Sequence, residues 1–345
     1  MLAPLAEDLR STAPSEHTRW LTEVDEPAFH ALLRARYGDS YSYGALYQPG
    51  AAARLWRSGT LLSLGGFDAR RRLVSHTGLW IHPGRDAVDS GLSLSHPTHR
   101  PAMARDEHLR MWHHLKTKLS AHVGFVHQNT STLHPLAQRY ASRLMAARPS
   151  GLILHYTRGE TLRGVEGSGL PMHALSMTTV LTPLVPRVRY LPEGPWGEWA
   201  RALLARLGVG GEVRTVALSR RSHRGGLALR PLEWNDALQL ERRVLVIQEE
   251  QAWPGPSLRS ARARVDLLHV SLGAPRQVAE GMPLLLDAGF FPVGIRLHQH
   301  EPDELVFQYV EEPEAACEAL RGAHLAGPDT RALFTGWSER CARTS

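Results

Sequence analysis

The chain has 345 residues, 43% hydrophobic and 21% charged, a balance that belongs to a folded globular protein and excludes disorder. Its 40 Lys and Arg against 34 Asp and Glu leave a formal charge of +6, which over this length reads as an arginine-rich surface before a polyanion-binding face. No stretch approaches the ~18–20 apolar residues of a membrane span, and the length suits two domains of ordinary size. The start carries no basic segment followed by an apolar run, so no secretory signal is expected. Cys317 and Cys341 offer neither metal spacing nor a disulfide framework, which fits a reducing cytoplasm.

Residues 1–19 read as a polar lead-in. A strand is expected over 20–24 (WLTEV), then a helix over DEPAFHALLRARYG with Asp25 as N-cap and Gly38 just past its end. GAAARLWRSG suggests a second short helix closing at Gly59. Two strands follow, TLLSLGGF and RLVSHTGLWIH, joined by the turn DARR. The stretch LSLSHPTHRPAMARDEHLRMWHHLK (92–116) reads as strand, tight loop and helix. After it come a strand over 124–131, a helix from Pro135 to about Ala147, a strand GLILHYT and an alternating segment over 174–184. This order indicates a mixed sheet with helices on both faces. Prolines at 183 and 186 mark 183–188 as a linker.

A weaker second copy follows: RVRYLP, a helix GPWGEWARALLARLG stopped by Gly208, and strands around EVRTVALS, GLALRPLEW, DALQLERRVLVI and RVDLLHVSLG. It ends with a helix QVAEGMPLLLDAG and strands FPVGIRL and ELVFQYV. Residues 134–156 and 274–297 share the order helix, break, strand, which suggests a duplicated unit.

The N-terminal half resembles the GNAT superfamily of N-acetyltransferases, and the whole chain resembles its two-domain members. The matching stretches are YGDSYSYGALYQPGAAARLWRSGTLLSLGGFD, the strand into HPTHR, LHPLAQRYASRL, and the C-terminal LLLDAGFFPVGIRLHQHEPDELVFQYV. The resemblance implies an α/β fold of two tandem GNAT-like domains, at 20–184 (the catalytic candidate) and 187–340 (diverged). It implies a sheet that splays between its fourth and fifth strands, acyl-coenzyme A in that cleft, and a pyrophosphate on amides at the start of the next helix.

The family's loop pattern, Arg/Gln-x-x-Gly-x-Gly/Ala, uses glycines to let backbone approach the phosphates. Here the register from His99 gives Ala102 and Ala104, and that from Arg100 gives Met103 and Arg105, so neither satisfies it. Pro101 suits the first turn of a helix, and Arg100 and Arg105 supply charge in place of lost amide contacts. Donor contacts are expected over Leu94, His96, His99, Arg100, Ala102, Met103, Ala104 and Arg105.

For the chemistry, the resemblance implies an oxyanion contact from backbone around Leu94–His96 and a tyrosine on the helix after the fifth strand that protonates the departing thiolate. Tyr140 lies on that helix, one position short of the family placement, about 100° of rotation away. His134 and His96 are candidate bases. The tyrosine-dense segment with Tyr41, Tyr43 and Tyr47, together with His127 and Asn129, is expected to contact the acceptor. SHPTH, WHHL and LHQH lack a carboxylate at metal-binding spacing, so no metal is expected.

The function expected is transfer of an acyl group from acyl-CoA to a small-molecule amine. An aminoacyl-tRNA donor is the alternative, with Arg70–Arg72, Arg214, Arg220, Arg221, Arg224, Arg242, Arg243, Arg259, Arg262 and Arg264 along the RNA backbone. A non-catalytic binding protein of the same fold is the third possibility.

Overall fold

The computed structural model describes residues 2–11, 15, 17–81, 87–98, 101–132, 135–157, 161, 163, 172–219, 227–235, 240–247, 258–263, 265–309, 314, 318, 320, 323 and 325–344. The lead-in is a helix, α1 (Leu2–Arg10), followed by β1 (Thr18–Trp20). α2 (Glu26–Tyr37) starts at Asp25, whose carboxylate accepts the Thr22 amide at 2.9 Å and pairs with Arg19 at 2.6 Å, and it stops at Gly38, φ 60°. α3 (Ala51–Ser58) is capped from another helix: the Glu26 carboxylate accepts the Gly50 and Ala53 amides at 2.8 and 3.1 Å.

Next come β2 (Leu61–Phe67), β3 (Leu73–Ile81), β4 (Ala87–Ser95), α4 (Pro101–Leu119), β5 (Phe125–Ser131), α5 (Leu136–Leu144), β6 (Arg148–Thr157) and β7 (Met172–Val180). The remainder is β8 (Arg189–Pro192), α6 (Pro195–Leu207), β9 (Val213–Val216), β10 (Leu227–Asn235), β11 (Leu240–Ile247), β12 (Val265–Ser271), a π turn at Gln277–Gly281 leading into α7 (Met282–Asp287), β13 (Phe290–Arg296), β14 (Glu304–Tyr309) and α8 (Pro328–Thr344).

Twelve strands form one mixed sheet in the order β1-β2-β3-β4-β5-β7-β6-β13-β14-β12-β11-β10, and β8 and β9 pair separately. Five strands on each side of the β6–β13 contact mirror one another, β3-β4-β5-β7-β6 against β10-β11-β12-β14-β13, and β1 and β2 extend the first side. On each side the hairpin partners sit outside the central strand, β5-β7-β6 against β12-β14-β13, and each side holds one parallel pair, β4 with β5 and β11 with β12. The segments 134–156 and 274–297, alike in sequence order, become α5–β6 and the π turn–α7–β13, and it is their strands that meet. Gly151 pairs with Gly294. An antiparallel meeting of equivalent strands is a two-fold axis normal to the sheet, so equivalent residues of the halves share a face.

α2 and α4 cover opposite faces. Val88 of β4 shares a core with Met111, Trp112, Leu115 and Leu119 of α4, whereas Leu94 shares a smaller one with Phe29, Leu32 and Leu33 of α2. The larger core runs without a break through both halves and takes in α1, through Leu5 and Leu9, and α8, through Leu333, Phe334, Trp337 and Cys341. The polar lead-in is thus corrected: its leucines at i, i+4 bury one stripe, and Asp8 holds it to Lys118 of α4 at 2.7 Å and to His122, just past that helix, at 2.9 Å.

The linker over 183–188 is tied down at its end. Arg187 donates to the carbonyls of Gln299, at 2.6 Å, and Glu301, while buried Arg189 pairs with Asp303 at 2.5 Å. Both arginines thereby bind the segment between β13 and β14, which in turn lies against Gly124 at the start of β5 through Gln299.

Candidate active site

β4 and β5 are paired only from Ala87–Phe125 to Ser90–Gln128. Beyond that, Gly91–Ser95 stays with β3 and Asn129–Ser131 with β7, so a wedge opens between two parallel strands. At the branch Leu92 has φ 53°, a costly conformation for a residue with a Cβ, and the β3–β4 register slips between His76 and Gly78. Fully buried His76 fixes the kink by donating from Nδ1 to the Leu92 carbonyl at 2.7 Å. The two strands above this clamp are directed by it, one to each side of the opening.

The wedge is polar. Ser93 and Asn129 are exposed and Ser95 and Ser131 half-buried. The His96 amide donates to the Val74 carbonyl at 2.8 Å, so strand alternation turns the Ser95 amide away from β3 and toward the opening. Among the described residues the donor turned to the opening is therefore Ser95 N–H, within the expected 94–96 stretch. Leu94 is buried against α2, and the His96 ring is engaged: its Nδ1 accepts from the Thr98 hydroxyl at 2.8 Å and amide at 3.3 Å, which consumes the lone pair a base would use.

α4 begins at Pro101, as the sequence predicts, and Ala102, Met103, Ala104 and Arg105 are in its first turns. Their side chains, and His99, Arg100 and His134 altogether, lie outside the described residues. Tyr140 is on α5 and packs against the large core, and burial pushes its phenol well above the ordinary range.

His127 requires a correction. It faces away from α4 but is buried, with Nε2 donating to the Leu297 carbonyl at 3.3 Å and Nδ1 accepting from Thr178 at 3.0 Å. Burial drops its pKa to about 3, with Arg296 adding to the effect, so the ring is neutral and joins the halves rather than touching an acceptor. Asn129, two residues on, is exposed on the same face; its Oδ1 accepts from Ser176 at 2.8 Å and its Nδ2 lies 3.4 Å from the Tyr156 hydroxyl.

The tyrosine segment forms a wall on that face. Tyr43 packs edge-on to Trp80 at 5.3 Å, Tyr41 tilts on Tyr37 at 4.8 Å, and the Tyr47 hydroxyl accepts the Tyr41 amide at 3.1 Å. The connection between β6 and β7 latches onto it: the Thr161 amide donates to Ser40 at 2.8 Å and the Arg163 amide to the Arg36 carbonyl at 3.0 Å. Across from this wall the second half supplies another. Arg296 of β13 reaches Asp89 of β4 at 3.4 Å, and Asp89 is flanked by Trp80 on β3 and His127 on β5.

Asp89, Arg296 and His76 escaped the sequence reading. A charged residue inside an otherwise apolar strand, as in AVDSGLSLS and FPVGIRL, was the available signal.

Among the described residues, several of the arginines expected to follow an RNA backbone are engaged within the fold. Arg242 and Arg243 are buried, Arg243 pairs with Asp266 at 2.6 Å, Arg262 with Glu241 at 2.9 Å and Arg214 with Glu212 at 2.8 Å. Arg220, Arg221, Arg224 and Arg264 lie outside the described residues. Among the described residues no three His, Cys, Asp or Glu converge as a metal site, and no helix is long and apolar enough to cross a membrane.

No protein-family model and no curated protein sequence matches the chain. Among solved structures it is similar to the Vibrio cholerae spermidine N-acetyltransferase in complex with CoA and spermine, at 14% identity and a TM-score of 0.38, over 48% of this chain and 97% of that one. It is similar also to the ribosomal-protein-S5-alanine acetyltransferase of Vibrio fischeri, at 11% identity and a TM-score of 0.37, over 50% of this chain and 97% of that one.

Proposed function

We propose that the chain is a GNAT-type N-acyltransferase that moves an acyl group from acyl-CoA to the amine of a small molecule. The observation that carries this reading is the branch between β4 and β5, with a strained kink at Leu92 held by His76 and an unpaired strand edge above it. An unpaired edge offers amides in strand geometry, which suits the amide-bearing arm of a coenzyme A thioester. The acceptor would approach from the face walled by Tyr41, Tyr43 and Tyr47.

In the reaction the amine gives up a proton and its lone pair attacks the thioester carbonyl carbon. The C–N bond forms, the nitrogen of the tetrahedral adduct gives up its second proton to water, the oxyanion collapses as the C–S bond breaks, and the thiolate takes a proton. Ser95 N–H is the donor for the developing oxyanion. Asp89, six residues before Ser95 on β4 and so roughly 15–20 Å from that donor along the strand, draws the ammonium electrostatically and receives its proton through intervening water. His134, which follows β5 in sequence, is the further candidate base. Enclosed Tyr140 is poorly suited to protonate the thiolate, and we assign that proton to water.

We assign catalysis to the first half because its counterpart is filled. Past the β11–β12 pairing, Leu245 and Ile247 close on Gly281, where an added Cβ would stand 2.7 Å from Leu245 Cδ2. The test is thiol release from acetyl-CoA with a panel of amines, beside the melting temperature with acetyl-CoA alone. Release with at least one amine and a rise of several degrees are expected. Neither response would leave a non-catalytic protein of this fold.

A further inference from the structure

A groove of about 420 Å³ runs between α6 and α8, walled by Trp199, Leu203 and Arg206 on one side and by Leu333, Gly336 and Arg340 on the other. That volume is in the range of small-molecule sites, roughly 300–1,000 Å³. Both helices belong to the second half, so the groove lies outside the wedge. Gly336 keeps it open. Glycine is unfavourable in a helix interior, and here a Cβ would stand 2.9 Å from Arg340 Nη1 and 3.7 Å from Trp199 Cδ1. The missing side chain therefore leaves a gap between a guanidinium and the pyrrole edge of an indole.

Trp199 supplies an independent sign of a ligand. It is 4% exposed, and among the described residues its buried Nε1 has no hydrogen-bond acceptor. Satisfied indoles in this fold look different: Trp56 Nε1 donates to Ser63 at 2.8 Å and Trp337 Nε1 to the Pro292 carbonyl at 2.7 Å. Trp112 and Trp196 also lack an acceptor but do not line the groove. A buried N–H left unbonded costs free energy that a bound acceptor would return. Cδ1, which faces the Gly336 gap, is bonded to Nε1, so the donor edge of the ring is turned to the groove. Arg340 is fixed over the same gap by two uncharged partners, its Nε donating to the Pro195 carbonyl at 2.8 Å and its Nη1 to the Gly336 carbonyl at 2.6 Å. Arg206 and Arg340 outnumber Glu339 in the lining, while Leu203 and Leu333 give it a buried apolar base.

We infer that this groove binds a small apolar carboxylate, one oxygen accepting from Trp199 Nε1, its charge facing Arg340, and its hydrocarbon body over Leu203 and Leu333. The lining selects that class. A plain hydrocarbon would leave the indole donor unmet, a cation would meet two guanidiniums, and a polyanion would gain nothing from the apolar base. Trp337, the residue after Gly336, fastens α8 to Pro292 of β13, two residues from the joint at Gly294. A ligand in the groove therefore braces a helix that is tied down beside the meeting of the two halves. The site is separate from the wedge and does not rest on the acyl-transfer reading.

The experiment titrates the full chain with benzoate, phenylacetate, hexanoate and octanoate, each beside its carboxamide, by calorimetry and melting temperature with no acetyl-CoA present. At least one carboxylate is expected to bind about tenfold more tightly than its carboxamide and to raise the melting temperature. Gly336→Leu fills the groove and should abolish that binding, with the ligand-free melting temperature at or above the wild-type value. Trp199→Phe should weaken the carboxylate by about tenfold, and Arg340→Gln should erase its advantage over the carboxamide. Binding by no member of the panel overturns the inference. So does equal affinity for acid and amide, binding that survives in Gly336→Leu, or an unchanged affinity in Trp199→Phe. Each of these results leaves the acyl-transfer reading standing, since thiol release tests that reading by itself.

Discussion

Gly151 faces Gly294 so closely that a Cβ built on either would stand within 2.6–2.8 Å of the other's Cα. Among the described residues this is the single point at which the strands of the two halves pair, and the nearest atoms opposite both positions are backbone. Backbone cannot rotate out of the way as a side chain can. Gly151→Ala or Gly294→Ala should therefore push β6 and β13 apart and destabilise the protein by about 1–3 kcal/mol, the usual range for overpacking. Urea unfolding of each variant measures it, and a change under about 0.5 kcal/mol would mean that the strands slide freely past one another.

Histidines make the fold acid-sensitive. Burial depresses His127 to about 3 and His173 to about 4, with His155 adding to the latter, against an ordinary value near 6.5. Each stays neutral in the folded chain while the unfolded chain binds its proton. The stabilising difference is complete above pH 6.5 and is lost as pH falls from 6.5 toward 4, at up to about 1.4 kcal/mol per pH unit for each histidine. His127→Gln should flatten the pH dependence of the melting temperature in this window. A variant with wild-type slope would show that His127 is protonated in the native state.

The asymmetry between expected and observed elements follows from how each signals itself. Capped helices were legible because their ends carry chemistry: Asp25 with Gly38, Gly59, and Gly208 all fall at helix ends, and each of these glycines has positive φ. α1 and α8 were not, since their apolar residues make sense only against a core built from both halves. Leu333, Trp337 and Cys341 recur every four residues, but Thr335 and Gly336 dilute the pattern. The place of the wedge, between the fourth and fifth strands, is the one the family resemblance implies, whereas His127 misled because an alternating strand does not say which face a later segment will cover. The strap over it, from Leu297, comes 170 residues further along the chain.

Arg189 tests how firmly that strap is held. Its guanidinium is almost wholly buried with Asp303, whose second oxygen accepts the His298 amide at 2.9 Å. Arg189→Met would leave a buried carboxylate without its counter-charge and should cost about 3–5 kcal/mol, most of it recovered when Asp303→Asn is added. A double variant no better than the single one would show that Gly210, the arginine's other partner, carries the contact.

Asp89 is where fold and chemistry meet, because the same carboxylate that receives Arg296 from the second half faces the acceptor side of the first. Asp89→Asn keeps the size and one hydrogen-bonding oxygen but cannot take a proton or balance an ammonium. For an acyl transfer that uses Asp89 in both ways, kcat/KM for the amine should fall by about 10²–10⁴-fold, while the affinity for acetyl-CoA, read from the melting-temperature shift, stays as in the wild type. The loss should shrink as pH rises toward the amine's own pKa, since an acceptor that is already deprotonated has less need of a base. An Asp89→Asn enzyme with unchanged turnover would move the proton acceptor elsewhere, and His134, the next base along the chain, is then the residue to replace.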